Sequence, residues 1–434
     1  MRVNDKVNLT IDKLVFGGQG ISHYEDRTIF VWNALPGEQV EAEIIKKRKG
    51  VFEAVAKTII KPAEYRVEPA EKHFLSSCPW SIMTFEKENE FKKTMALETY
   101  NYLGGLDLID LDIYYNDDQQ VGYRNKIEFS FFEFNEDDER GTGVSLSFFQ
   151  RGMKYKEPVA GSVLAEPVIN ESADYILKWI NAQSLTRYQL KSLIIRSNGK
   201  GEAIAALFCK DKVDFSDYPK LNDKLLGFHI YFSNPKSPAS VPTEIMYSEG
   251  QDFLSASIND TNLDFGLLGF FQVNIPVFNQ ALQDVSKYLD KSRDVIDYYS
   301  GVGAISLPLH EHYQKAILVE NNEEAVEFAK KNIISNGISN AEVHLTEAEN
   351  MTEIITSEHV VIVDPPRAGL HKNVIDTIID EKPVRIIYMS CNLSTQARDI
   401  KLLAESYEVE FIKLYNFFPC TPHVESVCVL NRKI

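Results

Sequence analysis

The sequence DYYSGVG at residues 297–303 decides the fold of the C-terminal part of the chain. It begins at the end of a predicted strand and leads into a predicted helix, the place where an open α/β sheet binds a nucleotide-like ligand. Gly301 and Gly303 would let the backbone approach such a ligand closely. The alternative is a simple tight turn, because a Gly-x-Gly sequence after a strand is weak evidence when taken alone.

Short apolar runs alternate with helix-like stretches on both sides of this motif. One predicted helix, at residues 322–336, has Glu323 and Glu324 in its first turn and Gly337 as its stop. This rhythm is typical of a mostly parallel sheet with helices on its faces. Two last runs, 409–418 and 426–432, lie too close together for a helical crossover and are predicted to pair antiparallel at the sheet edge. The other strands are predicted at residues 294–299, 315–320, 341–346, 360–364 and 384–391.

Two further regions are predicted upstream. Residues 1–62 alternate apolar and polar positions in short runs between glycine turns, which predicts a small all-β barrel of the oligonucleotide-binding kind. Residues 63–265 combine a helix at 84–103 with strand-like runs and are predicted to form an α+β region. The fold class is therefore α/β, with a Rossmann-like domain at residues 266–434 after an OB-like barrel and an α+β central domain.

Composition excludes several classes of protein. The 434 residues are 44% hydrophobic and 25% charged, which is enough for two or three domains with cores of their own. The five cysteines are odd in number and scattered, which argues against a secreted disulfide framework and for a reducing cytoplasm. The N-terminus has no signal-peptide pattern, and no apolar run reaches the roughly 18 residues of a membrane span. We expect a cytoplasmic monomer without membrane contact.

The net charge of −17 opposes binding to nucleic acid, because phosphates are neutralised by Lys and Arg. Charge is unevenly distributed, however. Acid is concentrated at residues 117–118 and 136–139, whereas KKRK at residues 46–49 and the pair 92–93 are basic. A local basic patch is one interpretation of residues 46–49, and a solvated turn between two strands, closed by Gly50, is the other.

A cysteine and a glutamate near the C-terminus point to methylation of a pyrimidine carbon. Cys391 ends a predicted strand at the same sheet edge as Gly301. A thiolate that adds to uracil carbon 6 would make carbon 5 nucleophilic, and a carboxylate such as Glu425 would later remove the carbon 5 proton. The alternative for Cys391 is a small buried hydrophobe, which is how we interpret Cys428, whereas Cys420 lies in a predicted loop.

Three more polar residues fit a pocket for a methyl donor. Glu320 ends the strand after the glycine motif, 19 residues beyond Gly301, where an acidic side chain can accept both hydroxyls of a ribose. Asp364 ends a buried strand and is followed by two prolines that would stiffen the turn. Gln272 precedes another predicted helix, and its amide could bond a uracil edge or the donor. A solvent-facing Glu320 and an aromatic pair at 270–271 that belongs to the core are the alternatives.

Together these residues resemble the RNA 5-methyluridine methyltransferases that use S-adenosylmethionine, specifically the branch with an N-terminal TRAM domain that modifies 23S ribosomal RNA. The resemblance covers essentially the whole chain. It rests on GGQG at residues 17–20, PGE at 36–38, GYRNK at 122–126, FQVN at 271–274, DPPRAG at 364–369, SCN at 390–392 and HVES at 423–426.

The resemblance implies a role for each matching residue. Cys391 is the nucleophile and Glu425 the base. The cofactor is S-adenosylmethionine and the partner is RNA, bound by the barrel and the central region. The donor pocket is lined by Gln272, Tyr299, Gly301, Gly303, Glu320, Glu347 and Asp364.

Two departures from the family pattern affect these expectations. Many relatives hold an iron-sulfur cluster on four cysteines, three of them just after the TRAM domain, but residues 69–80 contain only Cys78. We therefore expect no iron-sulfur cluster and no other metal. Ala304 stands where relatives often have Asn, so one polar contact to the donor is expected to be lost.

Other functions remain open at this point. The nearest is the same reaction on transfer RNA, although many bacterial relatives that act on tRNA lack the TRAM domain. Cytosine methylation is disfavoured, because RNA cytosine enzymes usually place a cysteine directly after a proline in the turn occupied here by Asp364. A catalytically silent RNA-binding protein is the alternative from another class, and the presence of both Cys391 and Glu425 argues against it.

Overall fold

The structure is a computed structural model and describes residues 1–48, 50–135, 138–139, 141–151, 155–237 and 239–433. Lys49 of the basic run, and Glu136 and Asp137 of the acidic run, lie outside these described residues. Within them, no helix is both long and apolar enough to cross a lipid bilayer.

The N-terminal half of the chain begins with six strands. Strands β1 to β6 lie at Lys6–Thr10, Lys13–Leu14, Gly20–Tyr24, Arg27–Trp32, Gln39–Arg48 and Val51–Lys61. Helices α1 (Phe74–Ser77) and α2 (Phe85–Thr99) follow, and α2 continues into a π-helical turn at Tyr100–Gly104. Next come β7 (Asp112–Tyr114), β8 (Lys126–Glu133), β9 (Val144–Phe149), β10 (Lys156–Pro158), α3 (Pro167–Ala182), β11 (Leu190–Ser197), β12 (Ala203–Cys209), β13 (Leu225–Phe232) and β14 (Glu244–Gly250).

The C-terminal half alternates strands and helices. Its elements are β15 (Phe253–Ile258), β16 (Thr261–Gly266), α4 (Ile275–Ser286), β17 (Val295–Tyr298), β18 (Ala316–Glu320), α5 (Glu323–Ser335), β19 (Ala341–Leu345), β20 (Val360–Val363), α6 (Lys372–Glu381), β21 (Arg385–Ser390), α7 (Leu393–Leu403), β22 (Tyr407–Tyr415) and β23 (Glu425–Arg432). Short 3-10 helices lie at Leu307–His312, Ala348–Asn350 and Thr352–Ile354.

The chain divides into two compact units, each made of three segments. The first unit contains Met1–Phe91, Gln119–Asp252 and Pro419–Pro422, and the second contains Lys92–Asp118, Phe253–Phe418 and His423–Ile434. The division of the chain at residues 62 and 265 stays a prediction.

The first unit contains two sheets. Strands β1 to β6 form one, in the order β1-β5-β6-β4-β3-β2, and their alternating burial places Val7, Leu9, Val40, Ala42 and Ile44 in one core. This sheet is consistent with the predicted OB-like barrel, and residues 46–48 lie where β5 ends before β6. The second sheet has the order β10-β9-β8-β11-β12-β13-β14, with α3 packed against β11, β9 and β12.

The second unit has an eight-stranded sheet with the order β19-β18-β17-β20-β21-β23-β22-β7. Strands β17 to β21 are parallel, as predicted. Every residue of β17 and β20 is buried, because helices cover both faces of a parallel sheet. The carboxyl ends of β17, β18, β20 and β21 therefore meet at one edge, where the predicted site residues follow their strands.

Two details of the predicted sheet are wrong. The last two strands do pair antiparallel, but β22 is not at the edge, because β7 pairs with it in parallel. A three-residue strand gives too short a pattern to be recognised. The glycine motif leads not into an α-helix but into turns and the 3-10 helix at Leu307–His312. Pro308, near the start of this 3-10 helix, has no N–H to donate to a carbonyl four residues earlier, so an α-helix that begins at the glycine motif is interrupted there.

Asn332 ties the glycine motif to its surroundings. This fully buried side chain of α5 donates to the carbonyl oxygens of Asp264 and Val302, both at 3.1 Å, and accepts from the Asp264 amide at 2.7 Å. It thereby joins β16, α5 and the loop after β17. Asn336, one turn later, makes a similar pair of bonds to Asn262 at the surface.

We predict that Asn332→Ala lowers the free energy of unfolding by roughly 2–3 kcal/mol, because three backbone groups lose their partner and at least one of them is buried. Urea unfolding followed by circular dichroism measures the change. Asn336→Ala is the matched control and should cost about 0.5 kcal/mol, because water replaces its bonds. Equal costs for the two variants would contradict the role given to Asn332.

Candidate active site

The glycine motif bends sharply over the end of the neighbouring strand. The amides of Tyr299 and Ser300 both donate to the Val319 carbonyl oxygen, at 3.0 and 3.2 Å. Gly301 has φ +57°, and no atom lies within 4 Å of the position that its Cβ would occupy. Open space therefore faces the backbone at Gly301, as close approach of a ligand requires. Gly303, by contrast, is packed, since a Cβ there would lie 2.5 Å from Leu307 Cδ1.

Glu320 closes the loop from the adjacent strand. Its Oε2 accepts from the Gly301 amide at 2.9 Å, and its Oε1 accepts from the amides of Asn321 and Asn322 at 2.9 and 2.8 Å. A carboxylate has about four acceptor positions, so three backbone donors leave room for one more. Binding both hydroxyls of a ribose would therefore require one backbone bond to be shared.

A thiol and a carboxyl stand side by side at the same sheet edge. Strands β21 and β23 are antiparallel, with Ser390 opposite Ser426, so Cys391 and Glu425 are the next facing positions. Glu425 is 8% exposed and Cys391 is half-buried. The structure thus brings together the two residues predicted to perform catalysis.

The electrostatics of this pair oppose ionisation of both groups. Burial, the Glu425 carboxylate and Asp364 raise the pKa of Cys391 to about 11, while the charge of Arg367 and its hydrogen bond to the sulfur act in the opposite direction. Burial and the nearby Asp364 also raise the pKa of Glu425 well above its usual value, again against Arg367. A positive charge in this site would stabilise the thiolate.

Two further acids belong to the same edge. Asp364 follows β20, and burial together with the nearby Asp297 raises its pKa to about 7. Asp297 is fully buried within β17, and burial, together with the charge of Glu320, raises its pKa to about 7. Acids from three strands therefore concentrate negative potential between the glycine motif and Cys391.

Arg367 and Asn392 are residues that the sequence reasoning missed as contributors to the site. Asn392 caps α7 by accepting from the Ser394 amide at 3.2 Å, and its Nδ2 donates to the Arg367 carbonyl oxygen at 2.8 Å. Thr395 Oγ1 donates to the same oxygen at 3.3 Å. These bonds hold the turn of residues 364–369 against the start of α7. The chemistry of the site offered one signal for Arg367, because a reactive thiol with acidic neighbours needs a cation nearby.

Gln272 and Glu347 are the remaining predicted residues of the donor pocket. Gln272 is buried just before α4. The aromatic pair beside it is divided, because Phe271 stacks on Phe265 in the core at 3.9 Å whereas Phe270 is 71% exposed. Glu347 follows β19 as the exposed member of the predicted set, and its Oε2 accepts from Asn350 at 3.0 Å.

The other cysteines have different surroundings. Cys428 is buried in β23, and Cys420 lies in a loop with φ +62°. Burial raises the pKa of Cys78 to about 12, and its sulfur lies 3.3 Å from Glu71 Oε1. Within the described ranges, no group of three or more His, Cys, Asp and Glu side chains is arranged to hold a metal ion.

The sheet order and the site at its carboxyl edge together define a class I S-adenosylmethionine-dependent methyltransferase fold. The family model described as tRNA (Uracil-5-)-methyltransferase matches residues 87–433, and the chain belongs to this family. It is therefore an RNA (uracil-5-)-methyltransferase whose methyl donor is S-adenosylmethionine. The open space at Gly301 and the carboxylate of Glu320 fit this donor.

Individual relatives agree with the family. An uncharacterized RNA methyltransferase of Clostridium acetobutylicum is 29% identical over all of this chain and 99% of its own length. One of Fusobacterium nucleatum is 25% identical over all of this chain and 97% of its own. The tRNA (uracil-54, C5)-methyltransferase of Pyrococcus abyssi, solved in complex with S-adenosyl-L-homocysteine, has a TM-score of 0.79 at 23% identity and covers 98% of this chain and 100% of its own. That likeness shows the fold.

We predict that Arg367→Gln raises the pKa of Cys391, because the thiolate loses a nearby cation and a hydrogen-bond donor. The measurement is the rate of alkylation by iodoacetamide as a function of pH. It uses a Cys420→Ser background, since Cys420 is the other cysteine that is not buried.

Lys372→Gln is the control for this experiment, because Lys372 is an exposed cation of the same unit that pairs with Asp376. Its alkylation profile should coincide with that of the background protein. A midpoint that stays in place in Arg367→Gln, or moves to lower pH, would show that Arg367 does not stabilise the thiolate.

Proposed function

We propose that this enzyme methylates carbon 5 of a uridine in RNA through a covalent bond between Cys391 and uracil carbon 6. The observation that carries the proposal is the facing position of Cys391 and Glu425 at the sheet edge that also carries Asp364 and the glycine motif. Uracil carbon 5 is a poor nucleophile until a soft nucleophile adds next to it, and Cys391 supplies that nucleophile.

The resting thiol must first lose its proton. With a pKa of about 11, roughly one Cys391 side chain in ten thousand is ionised at pH 7. Arg367 stabilises the ionised form, since it donates a hydrogen bond to the sulfur and its charge offsets those of Asp364 and Glu425. S-adenosylmethionine, when bound, supplies the methyl group from a positively charged sulfur.

The reaction then proceeds by addition of the thiolate, transfer of the methyl group and elimination of the thiolate. The Cys391 sulfur bonds to carbon 6, and the electrons of the carbon 5–carbon 6 double bond move towards oxygen 4. That electron pair then forms the bond from carbon 5 to the methyl group, the methyl–sulfur bond of the donor breaks with its electrons left on the donor sulfur, and carbon 5 still carries its proton. Glu425 accepts that proton, the double bond re-forms, and the carbon–sulfur bond breaks to release a thiolate. A carboxylate with a raised pKa suits this step, because it binds a proton more strongly than an ordinary glutamate does.

Around the reacting atoms, other residues position the substrates. Glu320 and the backbone at Gly301 bind the donor, with Gln272, Tyr299, Gly303, Glu347 and Asp364 completing the pocket. Phe270, which is exposed beside the buried Gln272, offers a face on which a base can stack. The uridine must leave its stack in the RNA to reach a thiol that is half-buried.

We predict that Glu425→Gln leaves the enzyme bound to RNA as a methylated covalent adduct, because addition and methyl transfer survive while proton removal fails. The adduct is measured as a slow band on denaturing gels after incubation with labelled donor and unmodified RNA. Cys391→Ala should give neither adduct nor product.

Glu410→Gln provides the matched control. Glu410 lies on β22, next to the strand of Glu425, and is an exposed partner of Arg385. That variant should turn over without leaving an adduct. Methyl transfer by Cys391→Ala at the wild-type rate, or an adduct in the Glu410 variant alone, would contradict this mechanism.

The substrate that we propose is 23S ribosomal RNA, as the resemblance to the TRAM-containing branch implies. Transfer RNA is a second candidate for a specific reason. The Pyrococcus abyssi enzyme, which is described as acting on tRNA, covers 98% of this chain, so the N-terminal sheet does not by itself argue against a tRNA substrate.

We predict that the purified enzyme transfers labelled methyl groups to unmodified 23S rRNA faster than to unmodified tRNA. Mapping of 5-methyluridine in RNA from cells with and without this gene identifies the nucleotide. Label in tRNA alone would establish the second candidate, and label in neither RNA would contradict the proposed function. Cys391→Ala protein serves as the blank for both RNAs.

A further inference from the structure

The seven-stranded sheet of the first unit carries a group of cations that the catalytic site does not use. We define the basic cluster as Lys156, at the start of β10, Arg187, in the turn before β11, and Lys210, which directly follows β12. Lys210 Nζ donates to the Arg187 carbonyl oxygen at 3.1 Å, and Lys156 Nζ donates to the Phe131 carbonyl oxygen at 3.3 Å.

The three cations are close enough to repel one another. Burial, Lys210 and Arg187 lower the pKa of Lys156, and burial, Arg187 and Lys191 lower that of Lys210. Two acids oppose this repulsion. Asp211 acts on Lys210, and Glu133 Oε2 lies 4.0 Å from Arg187 Nε. Counting Lys191, the groups named here are four cations and two acids, on a chain whose net charge is −17.

Exposed aromatic rings lie directly beside these cations. Lys156 Nζ is 4.9 Å from the centre of the Phe149 ring, which is 61% exposed. Arg187 Cζ is 4.8 Å from the centre of the Tyr188 ring, which is 68% exposed, and an Arg187 guanidinium nitrogen donates to the Tyr188 hydroxyl at 2.9 Å. Each ring thus has a cation beside it and much of its surface in solvent, where a flat ligand can stack.

We propose that the basic cluster, Phe149 and Tyr188 bind a single-stranded segment of the RNA substrate, with its phosphates on the cations and its bases on the two rings. The inference rests on the proposed function and identifies a surface of the first unit that binds the RNA. Charge complementarity selects a polyanion, and the rings select one with free aromatic faces. A duplex does not qualify, because its bases are stacked on each other.

The experiment measures binding of a fluorescein-labelled oligouridylate of about 12 nucleotides by anisotropy at several salt concentrations. Lys156→Gln/Arg187→Gln should weaken binding roughly tenfold and reduce the slope of log K against log salt by about 1.4, since each phosphate contact on single strands contributes about 0.7. Tyr188→Ala should also weaken binding roughly tenfold while leaving the salt slope unchanged, because it removes stacking and no charge.

Lys178→Gln/Lys224→Gln is the matched control. Both lysines are exposed, lie in the same unit and pair with an acid of α3, Asp174 or Glu171. Its affinity and salt slope should equal those of the wild type. Thermal unfolding confirms that each variant is folded. If the double variant does not fold, Tyr188→Ala still tests the proposal, because Tyr188 is mostly exposed.

Wild-type affinity in both the double variant and Tyr188→Ala would overturn the proposal. Equal competition by a duplex of the same length would overturn the assignment to single-stranded RNA, and so would an equal loss in the control variant. Methyl transfer by the wild type is measured separately. A wild type that methylates RNA while these variants bind normally contradicts this inference alone, whereas a wild type that methylates no RNA contradicts the proposed function.

Discussion

The register between β21 and β23 is the constraint on which the candidate active site depends. Because these strands are antiparallel with Ser390 opposite Ser426, a thiol and a carboxyl from distant parts of the sequence become neighbours. Asp364, from the next strand, adds a second acid. One arrangement of strands thus brings the proposed catalytic pair together with an acid that opposes ionisation of the thiol, whereas the nearby charge of Arg367 acts in the opposite direction.

Side-chain hydrogen bonds to the backbone of Arg367 in turn hold this residue in position. Asn392 and Thr395, at the start of α7, both donate to the Arg367 carbonyl oxygen, so the residues that flank Cys391 also hold the turn after β20. Glu320 has the same effect on the side of the proposed donor pocket, where its carboxylate joins Gly301 to the start of α5. Each reactive side chain therefore sits at a strand end that neighbouring loops hold in place.

Much of this architecture was predictable from the sequence. Buried runs such as VVIV at residues 360–363 and the capped helix α5 have strong local patterns, and the parallel sheet follows from them. The family follows from motifs such as DPPRAG at 364–369 and SCN at 390–392. Strand β7 was not predictable, because three residues carry no clear period. The 3-10 helix after Gly303 was missed, although Pro308 is a readable signal against an unbroken α-helix there. The role of Arg367 depends on spatial neighbours that are 24 and 58 residues away in sequence, which no local pattern reveals.

The high pKa of Cys391 has a consequence for the enzyme between reaction cycles. Hydrogen peroxide and other oxidants attack the thiolate far faster than the thiol, and the first product, a sulfenic acid, leads on to irreversible forms. The proposed nucleophile is kept protonated by its burial and by Glu425 and Asp364, and it therefore reacts slowly with oxidants while no substrate is bound. The surroundings that slow activation of the cysteine thus also slow its oxidation.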